Sequence, residues 1–238
     1  MKKIISFLFI FCLTASAFAD DIKLRSDMTQ SDFREFAKEF GSVVSFDPNS
    51  PADPLGTLGF DISVESTFSV TKSSVWDKAS SDGKFSDALV MTRLHVQKGL
   101  PGKIDIGAMV GKTANSDVTV AGVSLKYALL EGTVATPAIS LRAAYSQTIG
   151  NDEIDAYNAN LGIFISKGFL IVKPYAGVVG SMNHLKEKSS NVNLSDETVF
   201  TPKGIVGIQV TPFPFLRLNG EVGISEITQF SLKAGIQF

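Results

Sequence analysis

The chain has 238 residues, 22 Lys and Arg against 24 Asp and Glu, and 44% hydrophobic residues. This balance gives no basic excess of the kind that nucleic-acid-binding proteins use. The single cysteine, Cys12, excludes an intrachain disulfide framework. A chain of this length is compatible with a single all-β domain.

Residues 1–19 have the three parts of a secretory signal peptide. Met1-Lys2-Lys3 is basic, the run from Ile4 to Leu13 is apolar, and Ala17-Phe18-Ala19 is a small-x-small site. The run is too short to span a bilayer as a helix. We therefore expect cleavage after Ala19 and secretion through the inner membrane, with a retained amino-terminal anchor as the alternative.

Residues 20–54 are predicted to form a separate periplasmic segment before the first predicted strand. Thr29-Gln30-Ser31-Asp32 is typical of a helix start, and Phe33, Phe36 and Phe40 recur at helical spacing. The spacing predicts a short amphipathic helix over about 30–40, ended by Gly41. Its aromatic face has to be buried, and a proline-bearing stretch then leads into the strands.

From Thr57 onward, segments of about ten residues alternate between apolar and polar side chains. No apolar run beyond the signal peptide could form a transmembrane helix, but alternation of this kind is typical of transmembrane β-barrel strands. Ten segments show this alternation or are predicted to be strands: Thr57–Val70, Leu89–Gln97, Lys103–Lys112, Val118–Leu129, Ala138–Gln147, Asp155–Ser166, Leu170–Ser181, Val199–Thr211, Leu216–Ser225 and the closing strand. The facing of Leu170–Ser181 stays open, because Pro174 interrupts it and both its faces are apolar.

The connections support an up-and-down antiparallel barrel over residues 55–238. The two longest, Thr71–Ala88 and Met182–Thr198, are the first and the seventh, which an even barrel places on its outward side. An eight-strand barrel would have to merge recognisable segments. Twelve strands would need Ser42–Phe46 to pair as well. A soluble β-sandwich is the competing all-β fold.

The closing strand places Phe230, Leu232, Ile236 and Phe238 on one face. This pattern resembles the assembly signal of bacterial outer-membrane β-barrels, in which the last strand ends in Phe and is recognised by the barrel-assembly machinery. The resemblance covers the signal peptide and residues from about 55 onward, although Ala234 is smaller than usual. It implies a small barrel in the outer membrane of a Gram-negative bacterium, in contact with lipid and lipopolysaccharide.

The polar faces then point into the lumen and carry both charge signs. A ten-stranded barrel is narrow, so mixed charge predicts a charge-paired, filled interior rather than an open pore. We expect Glu65 opposite Arg93, Asp61 near Gln97, and Lys233 beside Ser63. The predicted lumen charges are Asp61, Glu65, Arg93, His95, Asp105, Lys126, Arg142, Arg217, Glu221 and Lys233.

The aromatic helix is predicted to plug the barrel or cap its periplasmic mouth. The alternative is a helix in the lipid interface. An amino-terminal segment that enters the lumen is similar to the fatty-acid transporter class of outer-membrane barrels, although none of that class's motifs is present.

Three functions stay open: a structural or surface-interaction barrel, a narrow or gated channel for a small or apolar molecule, and a lipid-modifying enzyme. Neither His95 nor His184 lies in a His-x-Ser pair of the kind that outer-membrane lipases use. We interpret His95 as a lumen residue, His184 as a loop residue and Trp76 as a membrane-rim residue. No catalytic set, cofactor site or metal site is predicted, and the sequence does not fix the oligomeric state.

Overall fold

The computed structural model describes residues 22–71, 73–80, 85, 87–114 and 118–238, so the predicted signal peptide lies outside the described residues. Two α-helices are described, α1 (Gln30–Val44) and α2 (Ser73–Trp76), the second followed by a 3-10 turn (Asp77–Ala79). The strands are β1 (Phe60–Val70), β2 (Ala88–Leu100), β3 (Ile104–Thr113), β4 (Thr119–Glu131), β5 (Ala138–Ile149), β6 (Ile154–Ser166), β7 (Val172–Glu187), β8 (Glu197–Phe213), β9 (Leu216–Ile224) and β10 (Thr228–Gln237).

Within these residues the ten strands close into one antiparallel barrel. Each strand pairs with its neighbours in sequence, and β1 pairs with β10 to complete the ring. The prediction of a ten-stranded up-and-down barrel with a short amino-terminal helix is confirmed, and the eight- and twelve-strand alternatives are wrong. Ser42–Phe46, the extra strand that twelve would need, begins in α1 and continues inside the barrel.

The register of the first hairpin is the predicted one. Glu65 lies opposite Arg93, and Asp61 lies opposite Gln97. At the closing seam Lys233 lies opposite Glu65 rather than Ser63, so the seam is displaced by two residues from the prediction. A two-residue slip leaves every side chain on the same face, and alternation in the sequence therefore does not determine it.

Strand β7 settles the facing that the sequence left open. Tyr175 and Val179 point inward and are buried, whereas Val178 and Met182 point outward and are exposed. Strands β7 and β8 also run further than predicted. The pairing of β8 with β9 starts only at Gly204 and Ile224, so the upper part of the β7–β8 hairpin projects beyond β9.

Helix α1 starts as predicted and ends later. Thr29 caps it in a capping box with Asp32, which satisfies free N–H groups of the first turn. Gly41 does not end the helix, because α1 continues to Val44. A Cβ at Gly41 would lie 2.2 Å from Cγ of Asn183 on β7, so glycine permits close packing there rather than a helix stop.

The interior divides into two zones along the barrel axis. At the end where β1 leads into β2, which we call the long-loop end, α1 packs on α2 in an apolar cluster that contains Phe36, Phe40 and Trp76. Further along, the interior is polar and charged. In the part of the chain that the structure describes, no helix has the length and apolar character needed to cross a membrane.

Candidate functional site: the occupied lumen

Helix α1 lies at the long-loop end of the barrel. Phe33, Phe36 and Phe40 are fully buried, and the Phe36 ring meets the Trp76 ring at 5.0 Å with a near-perpendicular geometry. Glu39 accepts a hydrogen bond of 2.7 Å from Nε1 of Trp76. The aromatic face is thus enclosed by protein, unlike a helix that rests on a lipid interface. Trp76 is buried as well, so the interpretation of it as a membrane-rim residue is wrong.

The placement of α1 differs from a cap on the mouth where β1 begins. Residues 22–25 pair with the β1–β2 connection: Ile22 bridges Ser80, and the Lys23 amide donates to the Ala79 carbonyl. From Ile22, the first described residue, the chain therefore runs from the long-loop end into α1 and crosses the lumen before β1 starts at the opposite end, which we call the tight-turn end.

Residues 43–55, which we call the lumen segment, make this crossing. Their main-chain oxygens accept hydrogen bonds from the barrel wall on several sides. The donors include Arg93 to Val43 O, Ser146 to Val44 O, Asn160 to Phe46 O, Lys233 to Pro48 O, Asn219 to Asn49 O, Arg142 to Pro51 O and Lys126 to Asp53 O. Side chains of the wall thus replace the hydrogen bonds that an extended segment would otherwise make with water.

Two carboxylates of the lumen segment form ion pairs with wall lysines. Nζ of Lys203 lies 2.5 Å from Asp47, and Nζ of Lys173 lies 2.5 Å from Asp53. The Lys203–Asp47 pair is nearly enclosed, with both side chains at most 12% exposed, whereas the Lys173–Asp53 pair is 30% exposed. Screening by water is therefore weaker at Asp47.

Glu65, Arg93 and Lys233, which were predicted to meet where β1 joins its two neighbours, do lie together, but Lys233 has a different partner from the predicted one. Arg93 donates to Glu65 at 2.9 Å and also to Thr67, and His95 lies 3.3 Å from the second oxygen of Glu65. Lys233 lies across from Glu65 but donates to Pro48 O at 2.7 Å, so it holds the lumen segment.

Asp61, the other acid of the predicted seam cluster, is buried on the same strand as Glu65. It accepts a hydrogen bond of 2.8 Å from the hydroxyl of its neighbour Ser63.

Among the other predicted lumen charges, Lys126 pairs with Asp105 at 2.7 Å. The Tyr175 hydroxyl lies 2.9 Å from Glu221 and 2.7 Å from Oδ1 of Asn49, and can donate to one of them at a time.

Arg142 and Arg217 differ in their surroundings. The Arg142 guanidinium is 4.0 Å from the centre of the Phe164 ring. Arg217 does not join these contacts: it is half-buried and donates to the carbonyls of Pro214 and Leu216 in the β8–β9 turn. Its place in the lumen cluster is a correction, and its position beside a tight turn is the physical reason.

Sequence reasoning missed the acids of the lumen segment and two of their lysines. Asp47 and Asp53 were interpreted as part of a leader into β1. Lys203 has the opposite parity to Val206 and Ile208, which face outward on the same strand, so alternation could have found it. Lys173 could not be assigned to the lumen, because the sequence left open which side chains of β7 face inward.

The amino-terminal end of α1 is held by a partly exposed ion pair. Nζ of Lys78, next to α2, lies 2.7 Å from Asp32. This hydrogen bond, together with those from Thr29, lowers the pKa of Asp32 to about 2. The pair connects the β1–β2 connection to the first turn of α1.

The two histidines have different surroundings. His95 is buried beside Phe46 and Glu65. His184 lies on β7 opposite Thr198 in the projecting β7–β8 hairpin, so its interpretation as a loop residue is wrong. Its Nδ1 is 2.8 Å from the Thr198 hydroxyl and its Nε2 is 4.0 Å from Asp196. Over the described ranges of the chain, no group of three His, Cys, Asp or Glu side chains is placed to hold a metal ion.

The outer surface of the barrel is apolar. Leu161, Val178 and Val206 are each more than 60% exposed, and all ten strands present aliphatic or aromatic side chains outward. Outward aromatic residues occur near both ends. Phe68, Tyr145, Phe200 and Phe230 lie toward the long-loop end, and Phe60, Tyr127, Phe213, Phe215 and Phe238 lie toward the tight-turn end.

No protein-family model matches the sequence, and neither does any curated protein. Solved structures similar to this chain include an outer membrane channel from Pseudomonas putida F1, which is 10% identical with a TM-score of 0.47 over 82% of this chain and 100% of its own. The N-terminal β-barrel domain of Pseudomonas aeruginosa OprF is 8% identical, with a TM-score of 0.41 over 77% and 99%. Ail, the attachment invasion locus protein of Yersinia pestis, is 12% identical, with a TM-score of 0.38 over 76% and 99%. At these identities the likeness concerns the barrel fold and identifies no activity.

Proposed function

We propose that this chain is a bacterial outer-membrane β-barrel protein. The observation that carries the proposal is the inverted distribution of polarity. Apolar side chains cover the outside of the barrel, while Asp61, Glu65, Arg93 and Lys233 are buried inside it. A continuous apolar surface of this kind is unfavourable in water and is matched by lipid, and aromatic residues at both rims suit the two membrane interfaces.

We further propose a structural or surface-interaction role with a filled lumen. The lumen segment occupies the interior and bonds to wall residues on strands as far apart as β2, β5, β8 and β10. Solutes would have to displace it to pass. Neither His95 nor His184 lies in a His-x-Ser pair that would supply a base and a serine nucleophile, and we propose no enzymatic activity.

Fractionation and conductance test the proposal together. The wild-type chain should fractionate with outer membranes, keep β-structure in detergent, and give no steady current in a planar bilayer. Recovery in the soluble periplasmic fraction would contradict membrane insertion. A steady current from the wild-type protein would contradict the filled lumen.

A second candidate function, a gated passage, is favoured by what fills the lumen. The sequence predicted a charge-paired wall, with the aromatic helix as a plug or mouth cap. The filler of the polar zone is the lumen segment, a separate stretch of chain held by hydrogen bonds and two ion pairs, in a space wide enough for a polypeptide. This filler is continuous with α1 at one end and with β1 at the other, so it can leave the lumen together with α1 without any change in the pairing of the ten barrel strands, which wall side chains could not do.

A further inference from the structure

Six cationic side chains of the wall contact the lumen segment, and each contacts an oxygen. The cations are Arg93, Lys126, Arg142, Lys173, Lys203 and Lys233. The segment itself carries Asp47 and Asp53 and no Lys or Arg between Val43 and Leu55. It therefore behaves toward the wall as a linear set of acceptors with a net negative charge.

Four of the six cations depend on the lumen segment for their partners. Arg93 and Lys126 also pair with the wall acids Glu65 and Asp105. Over the residues that the structure describes, Arg142, Lys173, Lys203 and Lys233 form no ion pair with a wall carboxylate. Withdrawal of the segment would remove the acceptors of these four cations. This is unfavourable above all for Arg142, Lys203 and Lys233, which are buried.

We propose that the lumen is a binding track for a narrow organic anion, which takes the place of the lumen segment when the segment withdraws. This inference rests on the gated passage as the function. The wall then presents six cations against four buried acids, Asp61, Glu65, Asp105 and Glu221. Because the acceptors extend from Val43 to Asp53, the ligand that fits is chain-like and carries carboxylate or other anionic oxygens along its length.

The chain offers a reversible lock for testing withdrawal. The hydroxyl of Ser42, in α1, lies 3.1 Å from that of Ser225, in the β9–β10 turn. Ser42→Cys with Ser225→Cys should therefore form a disulfide that ties α1 to the wall. Thr133→Cys with Thr136→Cys is the matched control, because those hydroxyls are 2.9 Å apart and both lie in the exposed β4–β5 turn, away from the lumen.

Planar-bilayer currents in a KCl gradient provide the readout. The lock is combined with Asp47→Asn and Asp53→Asn, which remove the segment's two ion pairs. The oxidised protein should stay silent, and reduction should open currents whose reversal potential lies toward the chloride equilibrium potential. The control disulfide, in the same Asp47→Asn and Asp53→Asn background, should conduct whether oxidised or reduced.

Ligand chemistry and wall charge can be tested on the open state. A short poly-L-glutamate peptide should reduce the current, whereas poly-L-lysine of equal length should not. Lys203→Gln with Lys233→Gln should move the reversal potential away from that of chloride. Lys103→Gln, in the exposed β2–β3 turn, should leave it unchanged.

Each contrary result has a separate meaning. Currents that prefer potassium, or continued silence after reduction of the weakened variant, would overturn the anion track while leaving the outer-membrane barrel intact. Absence of the protein from the outer-membrane fraction would instead contradict the proposed function.

Discussion

Arg93 on β2 donates to Glu65 on β1 at 2.9 Å, and both side chains are at most 4% exposed. Arg93 also donates to Val43 O, so this one side chain connects the barrel seam to the end of α1. Removal of one side chain of such a buried pair leaves the charge of the other uncompensated and out of reach of water.

Arg93→Ala should therefore lower the free energy of unfolding by about 3–5 kcal/mol, measured by urea denaturation in lipid vesicles. Exchange of the pair, Glu65→Arg with Arg93→Glu, should recover part of the loss, because the contact to Val43 O is not restored. Arg217→Ala, at the half-buried β8–β9 turn, is the control and should cost less. A neutral Arg93→Ala would contradict the importance of the pair.

The buried face of α1 can be tested by thiol reactivity. A cysteine at Phe36, which is fully buried against Trp76, should react slowly with a water-soluble maleimide in the assembled protein. A cysteine at Arg34, whose side chain is 63% exposed, should react fast. Phe33→Cys and Phe40→Cys should behave like Phe36→Cys. Equal and rapid labelling at all four positions would mean that α1 is not docked.

The ion pair between Asp32 and Lys78 predicts a dependence of α1 docking on acid. Because the folded-state pKa of Asp32 is lowered to about 2, its contribution is present above the ordinary carboxyl pKa of about 4 and is lost as pH falls toward 2. Trp76 is the one tryptophan of the chain and packs on α1, so its emission reports the docking.

We expect Trp76 emission to stay constant from neutral pH to about pH 4 and to shift to the red below it. Asp32→Asn should remove part of this change. Glu39→Gln serves as the comparison, because it removes the charge next to Trp76 and keeps an oxygen that can accept the hydrogen bond from the indole. An identical acid transition in wild type and Asp32→Asn would rule out Asp32 as its source.

Gly41 should resist substitution although it lies within a helix. Alanine is the better helix former, but its Cβ would overlap the side chain of Asn183. We expect Gly41→Ala to destabilise the protein by about 1–3 kcal/mol in urea unfolding. Asn183→Gly should relieve part of that cost in a double-mutant cycle, and strict additivity would exclude the steric explanation.

The fold was predictable to a greater extent than the site. Alternation determines which side chains of Phe60–Val70 face inward, and the antiparallel pairing of β1 with its sequence neighbour β2 places Glu65 opposite Arg93. Alternation does not distinguish Ser63 from Glu65 as the partner of Lys233, because both have the same parity. The lumen segment shows no periodic pattern of side chains. Most of its bonds to the wall are made by main-chain oxygens, which every sequence possesses, so no residue type marks them. In the sequence alone Asp47 and Asp53 thus resemble ordinary loop acids, because only the folded barrel brings their lysine partners next to them.

The last prediction concerns the position of the amino terminus. Because Lys23 pairs with Ala79 in the β1–β2 connection, the first described residues lie at the long-loop end. Barrels of the outer membrane turn their longer loops to the cell exterior. We therefore expect residues 22–25 at the cell surface, whereas the sequence predicted a periplasmic position for residues 20–54.

Two cysteine variants of similar exposure separate these positions. Arg25 is 43% exposed beside the β1–β2 connection, and Lys103 is 47% exposed in the tight β2–β3 turn. In intact cells a membrane-impermeant maleimide should label Arg25→Cys and leave Lys103→Cys unlabelled, and both should react after the outer membrane is permeabilised. Labelling of Lys103→Cys alone in intact cells would mean that the barrel has the opposite orientation. Protection of both would mean that the amino-terminal segment does not reach the surface in the cell.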